Sequence, residues 1–172
     1  MQLLLGCGHS RFKKMHAKDR AIWVDLCTVD FYRECDPDII HDLNKMPLPF
    51  KDSSANEIHM YEVLEHLGTQ GDYKFFFEQF SEYWRILEPN GLFFAQCPSY
   101  RSLWAFGDPS HTRVLNKGLL PFLSQKEYKR QIDVEKRAMT DFRRIYKADF
   151  DIMDVYEDEN TFNFVLKAVK DN

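Results

Sequence analysis

No apolar run in this 172-residue chain is long enough to cross a bilayer. The opening Met1-Gln2-Leu3-Leu4-Leu5-Gly6 lacks the charged start and long apolar core of a secretion signal. A cytoplasmic protein with no membrane insertion is the expectation. Cysteine is scarce, and none of Cys7, Cys27, Cys35 and Cys97 forms a C-x-x-C pair. Without an export signal their even number argues for no disulfide, and their spacing against the six histidines offers no zinc pattern. Free structural thiols and no metal site are expected. Internal repeats and low-complexity stretches are absent. Positive charge is not in excess: 23 Lys and Arg stand against 27 Asp and Glu, a net charge of −4. That excludes bulk attraction to nucleic acid or an anionic membrane and leaves only a local patch open. Aromatics, by contrast, are plentiful, with 15 Phe, 8 Tyr and 3 Trp. Large rings bury much area each, so a single domain over residues 1–172 can build its core without staples.

The first half alternates short apolar runs with polar connectors. Gln2–Leu5 reads as a buried strand stopping at Gly6, and residues 21–24 as a second strand ending at Asp25. Residues 38–41, 57–61 and 92–97 read as the third, fourth and fifth, the last closed by Pro98. Between the last two, Phe76, Phe77, Phe80, Tyr83, Trp84 and Leu87 recur at spacings of three and four, a helical stripe. Asp72 is its expected N-cap, and Glu88-Pro89-Asn90-Gly91 its stop. Strand, helix, strand is a βαβ unit, which implies a parallel sheet covered on both faces. Residues 99–120 form a long connector, 124–137 a polar helix, and 150–156 with 162–169 a closing antiparallel hairpin. Residues 1–98 thus read as a ligand-binding half and 99–172 as a substrate-side half.

Three features fall at successive strand ends, where open parallel sheets bind ligands. Gly6-Cys7-Gly8-His9-Ser10 follows the first strand. Glycine there permits a tight turn and close backbone approach, but the third glycine of G-x-G-x-x-G is Arg11, so the dinucleotide fingerprint fails. Asp25 stands where an acid would accept hydrogen bonds from ribose hydroxyls. Asp42 ends the third strand, placed to accept from an adenine amino group while Leu43 packs on the ring. A nicotinamide dehydrogenase fits Arg11 and Asp42 poorly.

Leu3-Leu4-Leu5-Gly6-Cys7-Gly8, Trp23-Val24-Asp25, Asp42 with Leu48-Pro49-Phe50, the stretch from Glu57 to His66, and Arg85-Ile86-Leu87-Glu88-Pro89-Asn90-Gly91 come in a telling order. Together they resemble class I S-adenosylmethionine-dependent methyltransferases, in the small subgroup with a loop like Val63-Leu64-Glu65-His66. The resemblance covers roughly residues 1–116. It implies a Rossmann-like, doubly wound α/β sheet of seven strands, mostly parallel with a reversed final hairpin. It implies S-adenosylmethionine as cofactor and S-adenosylhomocysteine as product. Gly6, Cys7 and Gly8 would flank the methionine part and ribose, Asp25 hold the ribose hydroxyls, Asp42 and Leu43 hold adenine, and Tyr61 lie near the sulfonium. The first strand begins at residue 2, so the helix that commonly precedes it in the family is not in this sequence, and either the site is more open or a partner or second subunit covers it.

Sulfonium methyl transfer needs alignment more than acid–base help. Glu62 and His111 are the candidate catalytic residues, with His111 in Asp108-Pro109-Ser110-His111 on the connector as base or acceptor ligand. His66 reads as structural. Tyr100, Trp104 and Phe106 are expected to wall an acceptor pocket or pack the connector. Residues 113–147 hold ten basic and four acidic residues, a solvated helix face or a docking surface for an anionic macromolecule. A small-molecule acceptor is preferred. The alternatives are a macromolecular acceptor and a degenerate cofactor-binding domain serving as a non-catalytic subunit. Met60-Tyr61-Glu62-Val63 carries no Asn-Pro-Pro-Tyr-type signature of an amino-methylating nucleic-acid enzyme.

Overall fold

A computed structural model describes residues 1–17 and 21–170. Its framework is a seven-stranded sheet: β1 (Gln2–Leu5), β2 (Leu26–Asp30), β3 (Ile39–Ile40), β4 (Ala55–Tyr61), β5 (Leu87–Pro98), β6 (Phe150–Glu157) and β7 (Thr161–Ala168). The order across the sheet is β3-β2-β1-β4-β5-β7-β6. The first five strands pair in parallel, and β7 runs against both β5 and β6. The expected doubly wound sheet with its closing hairpin is the fold observed. Chain order reverses between β1 and β4, the switch point at which such sheets open a crevice.

The helix between β4 and β5, α1 (Tyr73–Ile86), starts where Asp72 accepts a hydrogen bond from the Phe75 amide. Phe77, Phe80, Tyr83 and Ile86 drive into one face of the sheet against Leu3, Leu5, Ile58, Met60 and Phe93. Tyr83 stacks on Phe93 at 5.0 Å between ring centres. Arg85 anchors the loop before β4, donating to Glu82, to Asp52 and to the Phe50 carbonyl, while Glu82 accepts the Leu48 amide. The motifs around Leu48-Pro49-Phe50 and Arg85 are therefore two halves of one clamp.

Three expectations change. The apolar run 21–24 is not a strand. Trp23 instead folds over the sheet, its indole N–H bonded to the Arg11 carbonyl, and Asp25 takes a left-handed φ of 56° that breaks the extended chain before β2. Glu88-Pro89-Asn90-Gly91 forms a bulge inside β5, whose pairing jumps from Ala55↔Leu87 to Glu57↔Leu92. The helix over 124–137 runs only from Gln125 to Val134, starting as α2 (Gln125–Tyr128) capped by Ser124 and widening over Lys129–Val134.

The second face of the sheet also departs from expectation, because residues 6–17 and 21–25 contain no helix. Leu4, Cys7 and Tyr61 make a small apolar cluster there under Met15, Trp23 and Leu26. Beside it runs a buried polar chain. Lys13 Nζ lies 2.6 Å from Glu57 Oε2, which is 3.0 Å from His59 Nε2; His59 Nδ1 is 2.7 Å from the Tyr61 hydroxyl, to which the Met15 amide donates. Burial alone would raise the Glu57 carboxyl, but the hydrogen bonds from His59 and Lys13 and the lysine's charge bring it down to about 2. Burial also depresses His59, which stays neutral between Glu57 and Tyr61.

Candidate active site

At the carboxyl ends of β1 to β4 lies a cleft of about 660 Å³ lined by Gly6, Gly8, Asp30, Asp42, Leu43 and Glu62, among others. The size suits a nucleoside-sized ligand. Gly6 has φ +69°, and a β-carbon on it would meet Val63 Cγ2 at 2.4 Å. Gly8 has φ +50° and nothing within 4 Å of where a β-carbon would stand, so backbone is bare to the cleft. The Arg11 guanidinium occupies the place of a third glycine's function. It donates to the carbonyls of Gly8, Cys35 and Asp36 at 2.8 Å each and ties the glycine turn to the loop after β2. Gly6→Ala combines left-handed strain with a clash against a stiff β-branched side chain. A loss of roughly 2–4 kcal/mol in denaturant unfolding is expected; a change under about 0.5 kcal/mol would contradict this packing.

Asp30, at the carboxyl end of β2, was missed. Its Oδ2 accepts the Gly8 amide at 2.9 Å and its Oδ1 the Tyr32 amide at 3.0 Å, at the rim of the cleft. The signal was readable: Leu26-Cys27-Thr28-Val29-Asp30 is a β-branched run ending in an acid. Asp25 is a correction. It lies before β2, its carbonyl accepting the Gln2 amide and its carboxylate 3.5 Å from the amino terminus, at the opposite end of the strands from the cleft. Asp42 and Leu43 line the cleft as expected. The side chains of Cys7 and Tyr61 do not: both belong to the cluster on the helix-free face. Burial raises both, Tyr61 to about 12, so neither is ionised near neutrality.

Glu62, at φ 58°, lines both the cleft and an adjoining cavity of about 390 Å³. That cavity is bounded by Glu65, His66, Ser102, Trp104, Asp108 and His111, so His111 stands where the connector was expected to meet an acceptor. Tyr100 and Phe106 do not line it. The Glu65 backbone carbonyl accepts the amides of Thr112 and Arg113, pinning the connector to the turn after β4. The Glu65 side chain is buried, and burial together with the charge of Glu62 pushes its carboxyl up to about 8. The basic stretch is paired in part within itself. Arg130 meets Glu127 and Glu135, Arg137 meets Glu135, Arg143 meets Asp133 and Asp141, and Arg113 is buried against the Leu64 carbonyl and Gln79.

No family model and no curated protein matches the chain. Solved structures do. A SAM dependent methyltransferase from Archaeoglobus fulgidus superposes with a TM-score of 0.59 at 15% identity, over 96% of this chain and 85% of the other. NodS, an N-methyltransferase from Bradyrhizobium japonicum WM9, gives 0.58 at 11% over 98% and 85%. A SAM-dependent methyltransferase from Methanosarcina mazei gives 0.56 at 13% over 99% and 92%. This is the methyltransferase fold. The crevice at its switch point is the 660 Å³ cleft, and the strand ends that frame it carry Gly6, Gly8 and Asp30. Among the described residues no helix of this methyltransferase fold is long and apolar enough to cross a membrane.

Proposed function

We propose that the chain is an S-adenosylmethionine-dependent methyltransferase acting on a small molecule. The observation that carries this is the continuity of two cavities through Glu62: one framed by bare glycine backbone and two strand-end acids, the other by Glu65, Trp104 and His111. In this reading the methionine part of the cofactor lies along Gly6 and Gly8. Asp30 takes the ribose hydroxyls, while Asp42 and Leu43 hold adenine. Cofactor chemistry supplies the activated methyl group. The chain's own residues align the acceptor and keep water out. Glu62 and His111 face the acceptor, to orient it and take its proton where it must lose one. A cavity of about 390 Å³ supports a small acceptor over a macromolecule. The test is S-adenosylhomocysteine release, followed by mass spectrometry, with panels of hydroxylated and amino small molecules, RNA and peptides. Turnover with a small molecule, abolished by Asp30→Ala, is the expected result. Turnover confined to RNA or peptides would refute the acceptor class, and a protein that binds the cofactor yet turns over nothing would favour a non-catalytic subunit.

A further inference from the structure

The side chains of Glu65, His66 and His111 each bring one ligand atom to within 4.8 Å of the other two, on the wall of the acceptor cavity. Nothing in the fold requires this. The Glu65 residue is 2% exposed, and among the described residues neither of its carboxyl oxygens has a hydrogen-bond partner; His111 Nδ1, also buried, has none there either. A buried carboxyl left without hydrogen-bond partners costs stability unless something compensates it. Arg113 directs its own hydrogen bonds to the Leu64 carbonyl and to Gln79. The other ring atoms are held from behind by a single carboxylate. Asp108 Oδ2 lies 3.9 Å from His111 Nε2; its Oδ1 accepts the Ser110 hydroxyl at 2.6 Å, and that hydroxyl is 3.2 Å from His66 Nδ1. With His66 Nδ1 hydrogen-bonded to Ser110 and His111 Nε2 turned toward Asp108, His66 Nε2 and His111 Nδ1 are the ones left to ligate. His66 thus has the outer hydrogen-bonding partner typical of a metal ligand, and His111 a carboxylate near its far nitrogen.

We propose that Glu65, His66 and His111 form a binding site for a divalent first-row transition cation of the zinc or manganese class. One carboxylate and two imidazoles suit such borderline cations better than magnesium or calcium, which prefer all-oxygen shells. Three protein ligands leave open positions, and these face the acceptor cavity. The expectation of no metal site rested on Cys and His spacing along the chain and overlooked a carboxylate and a histidine brought in by the connector. The role of the cation rests on the proposed methyl transfer. A hydroxyl oxygen of the acceptor binds the cation and gives up its proton to Glu62. The oxygen then forms the new bond to the methyl carbon as the carbon–sulfur bond breaks, its electron pair remaining on sulfur as the neutral thioether.

The experiment uses the full chain, stripped with a chelator and dialysed. Zn²⁺ is titrated by calorimetry and Co²⁺ by visible absorption, with S-adenosylhomocysteine binding measured separately. One equivalent should bind with a dissociation constant on the order of micromolar or tighter. Glu65→Gln and His111→Ala should each weaken it at least roughly 10-fold, with S-adenosylhomocysteine binding and thermal unfolding showing that the fold is kept. His66→Gln serves as a third variant where either of those unfolds. Failure to bind one equivalent of either ion would overturn the site. So would binding unchanged in these variants, or an intense sulfur-to-cobalt band, since Cys35 and His9 lie 4.0 Å apart as a rival pair. Loss of S-adenosylhomocysteine binding in the unaltered protein would sink the methyltransferase reading and leave the cation site standing.

Discussion

Replacing Asp30 with alanine is expected to weaken S-adenosylmethionine binding roughly 100-fold, about 3 kcal/mol. Two effects add. In the proposed binding mode the carboxylate accepts from the ribose hydroxyls, and a hydrogen bond to a charged acceptor contributes about 1.5–3 kcal/mol. It also accepts the amides of Gly8 and Tyr32, so its loss frees the glycine turn and the loop after β2 together. Asp30→Asn keeps the shape and part of the hydrogen bonding, and should fall between the alanine variant and the unaltered protein. Because Asp30 is buried and its loss leaves the Gly8 and Tyr32 amides unsatisfied, stability should fall as well, by about 1–3 kcal/mol, and affinity is compared on the folded proteins. Equal affinities for the three proteins would remove Asp30 from the site.

The largest stability effect is expected at Glu57. Glu57→Ala leaves the Lys13 ammonium, buried with a side chain 2% exposed, without its 2.6 Å carboxylate, and deprives His59 of the acceptor for Nε2. Breaking a buried pair from one side typically costs about 3–5 kcal/mol. At this chain length that corresponds to a fall in Tm of roughly 6–20 °C. The same chain of groups sets the acid limb of stability. Glu57 is held near 2 in the fold against an ordinary 4.5, so its contribution is complete above 4.5 and is lost as pH falls toward 2. His59 is depressed below 6.5, so below that pH the unfolded chain takes up a proton that the fold refuses. Both effects lower stability as pH drops from about 6.5, and Glu57→Ala should flatten the part below 4.5. Urea unfolding between pH 3 and 7 measures this. Stability that rises on acidification would contradict the assigned network.

Where the sequence was legible, local chemistry and tertiary context agreed. The α1 stripe, its Asp72 cap and the closing hairpin were readable because apolar period and cap residues coincide with the burial finally adopted. The glycine turn was readable for the same reason. The second strand was misplaced because residues 21–24 are as apolar as a strand. Of them only Trp23 packs on the sheet, while Ile22 and Val24 stay exposed, which a one-dimensional pattern cannot distinguish. That shift alone moved the expected strand-end acid from Asp30 to Asp25. Tyr61 and Cys7 were placed in the cleft by position along the chain, but alternation along the strand turns Tyr61 to the same face as Glu57 and His59. Glu65 carries no periodic signal for a cavity role. Only the fold of residues 110–113 back onto its carbonyl brings His111 to it.

The central claim is that the cleft at the carboxyl ends of β1 to β4 holds S-adenosylmethionine. Calorimetric titration of the protein with S-adenosylhomocysteine, beside Asp30→Ala and Asp25→Ala, tests it most directly. The prediction is one equivalent bound with a dissociation constant on the order of micromolar, severely weakened by Asp30→Ala and left within about twofold by Asp25→Ala, whose carboxylate is exposed at the far end of the strands. A folded protein that binds no S-adenosylhomocysteine, or one in which Asp25→Ala rather than Asp30→Ala abolishes binding, would contradict it.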